Sequence, residues 1–242
     1  MNSTHLDDSE PLAAQVSRFY PGLLASFGFI ILYFALQAIC TGLIMAISGV
    51  AISGQPVTII WGLVASSIIQ LGLMWLYLRR SERMTSVDLN DFGRMRFGHA
   101  TGLAVLLVIA AMVFNFVYAT YLIPGIGMQD EMAKILSAIP RTPLNITLLI
   151  FAIAIMAPIV EEVLFRGFLQ NALAKYVPFW AAILLSSFLF AVVHLQPYAI
   201  PGLMSLSLAF GYLYHRTGSL RTNIILHMVN NAFALLVMQA MG

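Results

Sequence analysis

The sequence predicts an all-α, polytopic bundle of about seven transmembrane helices, or eight if a short link re-enters the membrane. Three observations predict it. Of the 242 residues, 60% are hydrophobic and 9% are charged, whereas a soluble domain carries roughly 25% charged residues. The apolar residues fall in runs of about 20, the length that crosses a bilayer as a helix. Nearly all charges lie between those runs, and the exceptions, Glu161, Glu162 and Arg166, sit close together.

The polar segment 1–22 lacks a basic stretch and a small-residue cleavage site, so the first helix is expected to be retained. Helices with loops then occupy 23–142, and a second transmembrane unit occupies 143–242. The first span is about Leu23–Ile47, closed by Gly49 and Gly54-Gln55-Pro56. The second is about Val57–Leu78. The loop Arg79–His99 holds five arginines, which marks it as cytoplasmic and puts the N-terminus on the same side. The third span, about Ala100–Leu122, ends in the turn-rich Ile123-Pro124-Gly125-Ile126-Gly127. Met132, Ile135, Leu136 and Ile139 recur at helical spacing, so Gln129–Ile139 reads as a short amphipathic helix on the outer surface.

The fourth span begins near Pro143, and its helical pattern runs through the Glu pair to about Tyr176. Tyr176, Phe179 and Trp180 form an interfacial aromatic belt. The fifth span is about Pro178–Leu195, the sixth about Ile200–Tyr214 and the last about Thr222–Gln239. Arg216 and Arg221 return the chain to the cytoplasmic side. Net charge is +2 with no basic tail, so nucleic acid is not an expected partner. The single Cys40 rules out an intrachain disulfide and a thiolate zinc cluster.

Inside the spans, the polar residues of the first half are Gln37, Gln70 and Asn115. Isolated amides of this kind ordinarily hydrogen-bond a neighbouring helix. The second half gathers Glu161, Glu162, Arg166, His194, His227, Asn230 and Asn231. Charge at this depth is costly and marks function. Glu162 and Arg166 stand at i,i+4, as do Phe190 and His194, and His227 and Asn231, so each pair shares a helix face. From Glu162 to Tyr176 is roughly 21 Å of helix, and from Pro178 to His194 roughly 24 Å. An antiparallel hairpin therefore brings the Glu pair and His194 to one depth, and His227 falls within a turn or two of it.

Two chemistries fit one acid with two histidines. Glu161 can act as a general base on a water positioned by His194, with His227 and Asn231 donating to an oxyanion. Alternatively, Glu161, His194 and His227 can hold a divalent metal such as zinc with an open position for water. Taken singly, a Glu–Arg pair can be a structural tie, a lone histidine a packing residue and Asn231 helix glue. Their accumulation at matching depth is what points to a site.

Glu161-Glu162-x-x-x-Arg166, Phe190-x-x-x-His194 and His227-x-x-x-Asn231, in this order, resemble the three motifs of the CAAX protease and bacteriocin-processing family, also called the Abi family. Pro158, Phe165-Arg166-Gly167 and Thr217-Gly218-Ser219-Leu220 fit the same pattern, and the resemblance covers about Leu144–Leu236. It implies an intramembrane endopeptidase with a recessed catalytic cavity. It assigns Glu161 with His194 to water activation, His227 and Asn231 to the oxyanion, and Glu162 with Arg166 to support, with Phe190 beneath His194. The family is often labelled metalloprotease. Asn231 is a poor zinc ligand and a good donor, so no tightly bound metal is the favoured expectation. Prokaryotic members commonly act on peptides or membrane proteins without a prenyl group, so that is the expected substrate class, with the bilayer of the cytoplasmic membrane as the other partner. No oligomeric state follows from the sequence.

The chain has no His-Glu-x-x-His, no Gly-x-Ser-Gly and no intramembrane aspartate pair, which disfavours other membrane-protease types. The competing functions are a non-catalytic peptide-binding or immunity protein using the same cavity, and a proton-coupled transporter. The transporter calls for repeated halves with broken helices, and no repeat is visible.

Overall fold

The computed structural model describes residues 20–49, 56–84, 95–123 and 138–241. The described residues contain seven main helices and no strand. They are α1, Leu23–Ser48; α2, Pro56–Arg80; α3, Phe97–Val117, prolonged by a π-helical turn Tyr118–Leu122; α4, Pro143–Leu173; α5, Phe179–Val192; α6, Ile200–Thr217; and α7, Leu220–Met241. The amphipathic segment expected at Gln129–Ile139 lies, but for its last two residues, outside the described residues, as do residues 85–94 of the arginine loop.

Five of the helices, α1, α2, α3, α4 and α7, are long and apolar enough to cross a membrane. The other two depart from the expected full spans. At 14 residues, α5 is only about 21 Å long, shorter than the ~30 Å hydrocarbon layer. The 18-residue α6 carries Ser205, Ser207, His215, Arg216 and Thr217. His194 therefore stands just past the end of α5, not within a span. Leu195 follows at φ 55°, a left-handed conformation that a leucine rarely adopts.

The centre of the bundle is α4, which packs against α1, α2, α5, α6 and α7. A helix apolar on every face belongs in a core, and every residue of Val163–Gln170 is buried. Its pitch alternates: Phe151–Met156 and Val163–Gln170 are π-helical. Such stretches loosen the carbonyl ladder, and in lipid each loosened group needs another partner. Side chains supply them. Ser186 on α5 donates to the Phe165 carbonyl at 3.0 Å, and Asn171 to those of Arg166 and Gly167 at 2.9 and 3.0 Å. Pro158 offers no N–H to the turn before it. There the Ile153 carbonyl accepts from Asn231 of α7 at 3.0 Å.

Two of the isolated amides of the first half, Gln70 and Asn115, behave as expected of helix glue. Gln70 of α2 donates to the Phe29 carbonyl of α1 at 2.9 Å, and Asn115 of α3 approaches the Gly202 carbonyl of α6 at 3.5 Å. Close contact of α1 with α2 depends on Gly62. A Cβ there would stand 2.9 Å from both Cα and Cβ of Thr41, too close unless the backbones part. Gly62→Ala is expected to cost about 1–3 kcal/mol, read as a lowered unfolding temperature in detergent.

The turn into α7 sets its rotation. Gly218 ends α6 at φ 70°, Ser219 N–H donates to Thr217 Oγ1, and Ser219 Oγ accepts from Thr222 N–H as the cap of α7. From this start, Asn223, His227 and Asn231 fall on one face at successive i,i+4 steps.

Candidate active site

The site is built around Glu162, which is 0% exposed. A carboxylate withdrawn from water must be surrounded by donors. Arg166 Nη1 lies 3.1 Å from Oε1, the i,i+4 partner on the same helix. His227 Nδ1 lies 2.8 Å from the same oxygen. Oε2 accepts from Asn223 Nδ2 at 3.1 Å. Asn223 places its second N–H on the Phe210 carbonyl at 2.7 Å, so two acceptors fix which way its amide points.

Arg166, 1% exposed, is held as tightly. Its Nη2 donates to Ser207 O at 3.0 Å and Ser207 Oγ at 2.9 Å. Its guanidinium sits 5.1 Å from the Phe190 ring centre and 5.5 Å from that of Phe210, and both faces favour a cation. Glu162 and Arg166 are thus a buried ion pair contacted from α5, α6 and α7, with Arg166 Nη1 held by charge and without a hydrogen bond.

The pair determines the state of His227. A carboxylate only accepts, so the imidazole bonds to Glu162 through Nδ1–H. In the neutral ring Nε2 is then a lone pair, and it faces Glu161 Oε2 at 3.7 Å. Glu161 is 16% exposed, against 0% for Glu162. Adjacent carboxylates on one helix therefore differ in kind: one is closed in by donors, and the other is partly exposed, with Oε2 near enough to Nε2 for one water beside the pair to touch both.

His194 is reached from the same ring system. Its Nδ1 lies 2.6 Å from the Phe190 carbonyl, which again puts the proton on Nδ1 and leaves Nε2 as acceptor. The Phe190 ring is 4.8 Å from His194 and 6.3 Å from His227. The two histidines are at one level, but His194 forms no hydrogen bond or ion pair with Glu161. Among the described residues no group of three or more His, Cys, Asp or Glu is arranged to hold a metal. Glu161 and His227 converge as two donors, and the set Glu161, His194 and His227 is not assembled. Asn231 has one amide proton on Ile153, and Asn230 donates to its Oδ1 at 3.3 Å.

Three contributors went unnoticed in the sequence. Asn223 stands one turn before His227 on the same face, and that spacing could have found it. Ser207 and Phe210 on α6 carry no motif at all.

Fold and site together define a polytopic helical membrane protein with a buried Glu–Arg–His–Asn centre in its C-terminal half. Residues 143–233 match the family model described as Rce1-like, type II CAAX prenyl endopeptidase Rce1-like, and the resemblance carried by the three motifs is borne out over that part of the chain. The chain is 31% identical over 118 residues to YdiL of Bacillus subtilis, provisionally named a membrane peptidase; the match covers 48% of this chain and 47% of that protein. It is 30% identical over 137 residues to the membrane-embedded CAAX protease MroQ of Staphylococcus aureus, covering 54% and 53%. The chain thus matches about half the length of these curated relatives. No solved structure is a significant match.

Proposed function

We propose that the protein is an intramembrane endopeptidase of the cytoplasmic membrane, with its N-terminus inside, that hydrolyses a peptide bond in a peptide or membrane-protein substrate. The observation that carries this reading is the opposition of Glu161 Oε2 and His227 Nε2 at 3.7 Å, with His227 anchored on Glu162. Water held beside this pair gives a proton to Glu161 and its oxygen attacks the substrate carbonyl carbon. The carbonyl π pair moves onto oxygen. Glu161 then passes the proton to the departing amide nitrogen as the C–N bond breaks. His227 orients the water, Glu162, itself fixed by Arg166 and Asn223, holds His227, and His194 offers a second acceptor from the end of α5. Asn231 keeps one N–H for the oxyanion. The similarity of 143–233 to a family of endopeptidases supports the same reading.

Comparison of membrane peptides from wild-type cells and a Glu161→Gln strain tests it. Products present in the first and missing from the second are expected. Unchanged peptide profiles, together with retained biological function in the variant, would favour a non-catalytic binding protein.

Among the described residues Glu161 and His227 have no third converging donor of the usual kind, so the proposed attack uses water activated by Glu161 without a metal. Cleavage by the purified protein is accordingly expected to persist in a strong chelator. Stoichiometric zinc, lost together with activity and restored with it, would overturn this part of the reading.

A further inference from the structure

Asn230 stands among the polar residues of the C-terminal spans, and the proposed chemistry leaves it without a task. An amide in a membrane helix ordinarily ties that helix to a neighbour. Asn230 does not. Among the described residues its side chain makes one hydrogen bond, from Nδ2 to Asn231 Oδ1 at 3.3 Å, within α7 itself. Both residues are half-buried.

The direction of that bond is fixed from α4. At the end of the π-helical stretch Phe151–Met156, the Ala157 N–H is taken by the Ala152 carbonyl. In that register the Ile153 carbonyl is due the next N–H, at position 158, and Pro158 has none. Asn231 Nδ2 supplies the donor instead, at 3.0 Å. A carbonyl only accepts, so Asn231 turns its amino group to Ile153 and its Oδ1 away. Asn230 meets that Oδ1 and must present its own amino group. Neither amide is left a choice of orientation.

A planar amide held at one end still swings about its Cβ–Cγ bond. Held at both ends, it aims its remaining N–H in one direction. For Asn231 that N–H is the one assigned to the oxyanion, and such a donor works by being set in place before the charge appears.

We infer that Asn230 is a positioning residue for the hydrolysis: it clamps Asn231 Oδ1, so that Ile153 and Asn230 together aim the second Asn231 N–H at the oxyanion. This rests on the endopeptidase reading. Asn230 acts through Asn231 alone and exchanges no proton.

The test uses the full chain in nanodiscs and a peptide whose cleavage disappears in the Glu161→Gln comparison. Asn231→Ala removes the donor itself and is expected to lower kcat about 100-fold, within the range for one oxyanion donor. Asn230→Ala is expected to lower kcat about 10-fold, less than the roughly 10²-fold that a misplacement of about 1 Å can cost, with KM changed by less than about twofold and an unaltered unfolding temperature. Asn230→Asp has the same shape but sets an acceptor against Oδ1, and is expected to lose at least as much. Because Asn230 acts through Asn231, the Asn230→Ala, Asn231→Ala protein should be no slower than Asn231→Ala alone, whereas independent sites would multiply their losses. Wild-type kcat in Asn230→Ala, a loss that lies in KM or in stability, or a further loss of the same size in the double variant overturns the inference while the endopeptidase reading stands. So does wild-type kcat in Asn231→Ala. If Glu161→Gln changes no peptide, the endopeptidase reading fails, and the role of Asn230 falls with it.

Discussion

Glu161→Gln is expected to abolish peptide cleavage while the protein inserts, folds and purifies as the wild type does. The side chain is isosteric and 16% exposed, so no buried charge is stranded and no cavity opens. What changes is proton affinity, since an amide cannot take a proton from water. Loss of a positioned general base costs roughly 10²–10⁴-fold, and activity near background is the expected reading. Glu161→Asp separates chemistry from geometry. It keeps the carboxylate but withdraws it by one methylene from the gap facing His227, and a misplacement of about 1 Å can cost 10²-fold. A measurable remnant in Glu161→Asp, beside none in Glu161→Gln, is the signature of a base. Equal residual activity in both would point to a merely structural carboxylate.

Arg166→Ala is expected to have the largest effect on stability. It strips Glu162 of its ion-pair partner inside the bundle and leaves the Ser207 oxygens without their donor. Removing one half of a buried pair costs about 3–5 kcal/mol, because the other half stays charged and buried. A fall of roughly 10 °C in unfolding temperature, measured in detergent, corresponds to that range. Replacing both partners tests the reasoning. The Glu162→Gln, Arg166→Met protein carries no stranded charge and is expected to be clearly more stable than Arg166→Ala. It should nevertheless be inactive, since the His227 Nδ1–H loses the carboxylate that orients it. Recovery of activity along with stability would show that the pair only holds the helices together.

The parts legible in the sequence are those fixed by the pitch of one helix. Glu162 with Arg166 follows from i,i+4 spacing alone, and so does the approach of His194 to Phe190. The apolar runs gave the helices to within a few residues. What was hidden depends on how helices rotate against one another. Equal helix arms put His194 level with the Glu pair, yet level is not contact: the imidazole stands past the end of α5, bonded to the Phe190 carbonyl. His227 was grouped with Asn231 as a donor, but its N–H meets Glu162, a consequence of the α6–α7 turn. The π-helical stretches of α4 leave no mark in periodicity, and one of them presents the Ile153 carbonyl to Asn231. Ser207 looks like an ordinary residue of an apolar helix until the bundle places it beside Arg166.

The irregular ladder of α4 has a consequence for how the protein is made. In a simple two-stage picture, each helix enters the membrane as a self-sufficient unit and packs later. α4 does not meet that condition. Alone in lipid it would carry Glu161, Glu162 and Arg166 at about 3 kcal/mol for each charge at the helix centre, with a carbonyl beside Pro158 lacking its intrahelical donor. The groups that relieve it, Ser186, Ser207, Asn223, His227 and Asn231, all emerge from the ribosome afterwards. Commitment of α4 to the bilayer is therefore tied to synthesis of α7. The C-terminal half should assemble as one concerted unit at the insertion machinery, and a nascent chain cut short before α7 should become a substrate for membrane quality control.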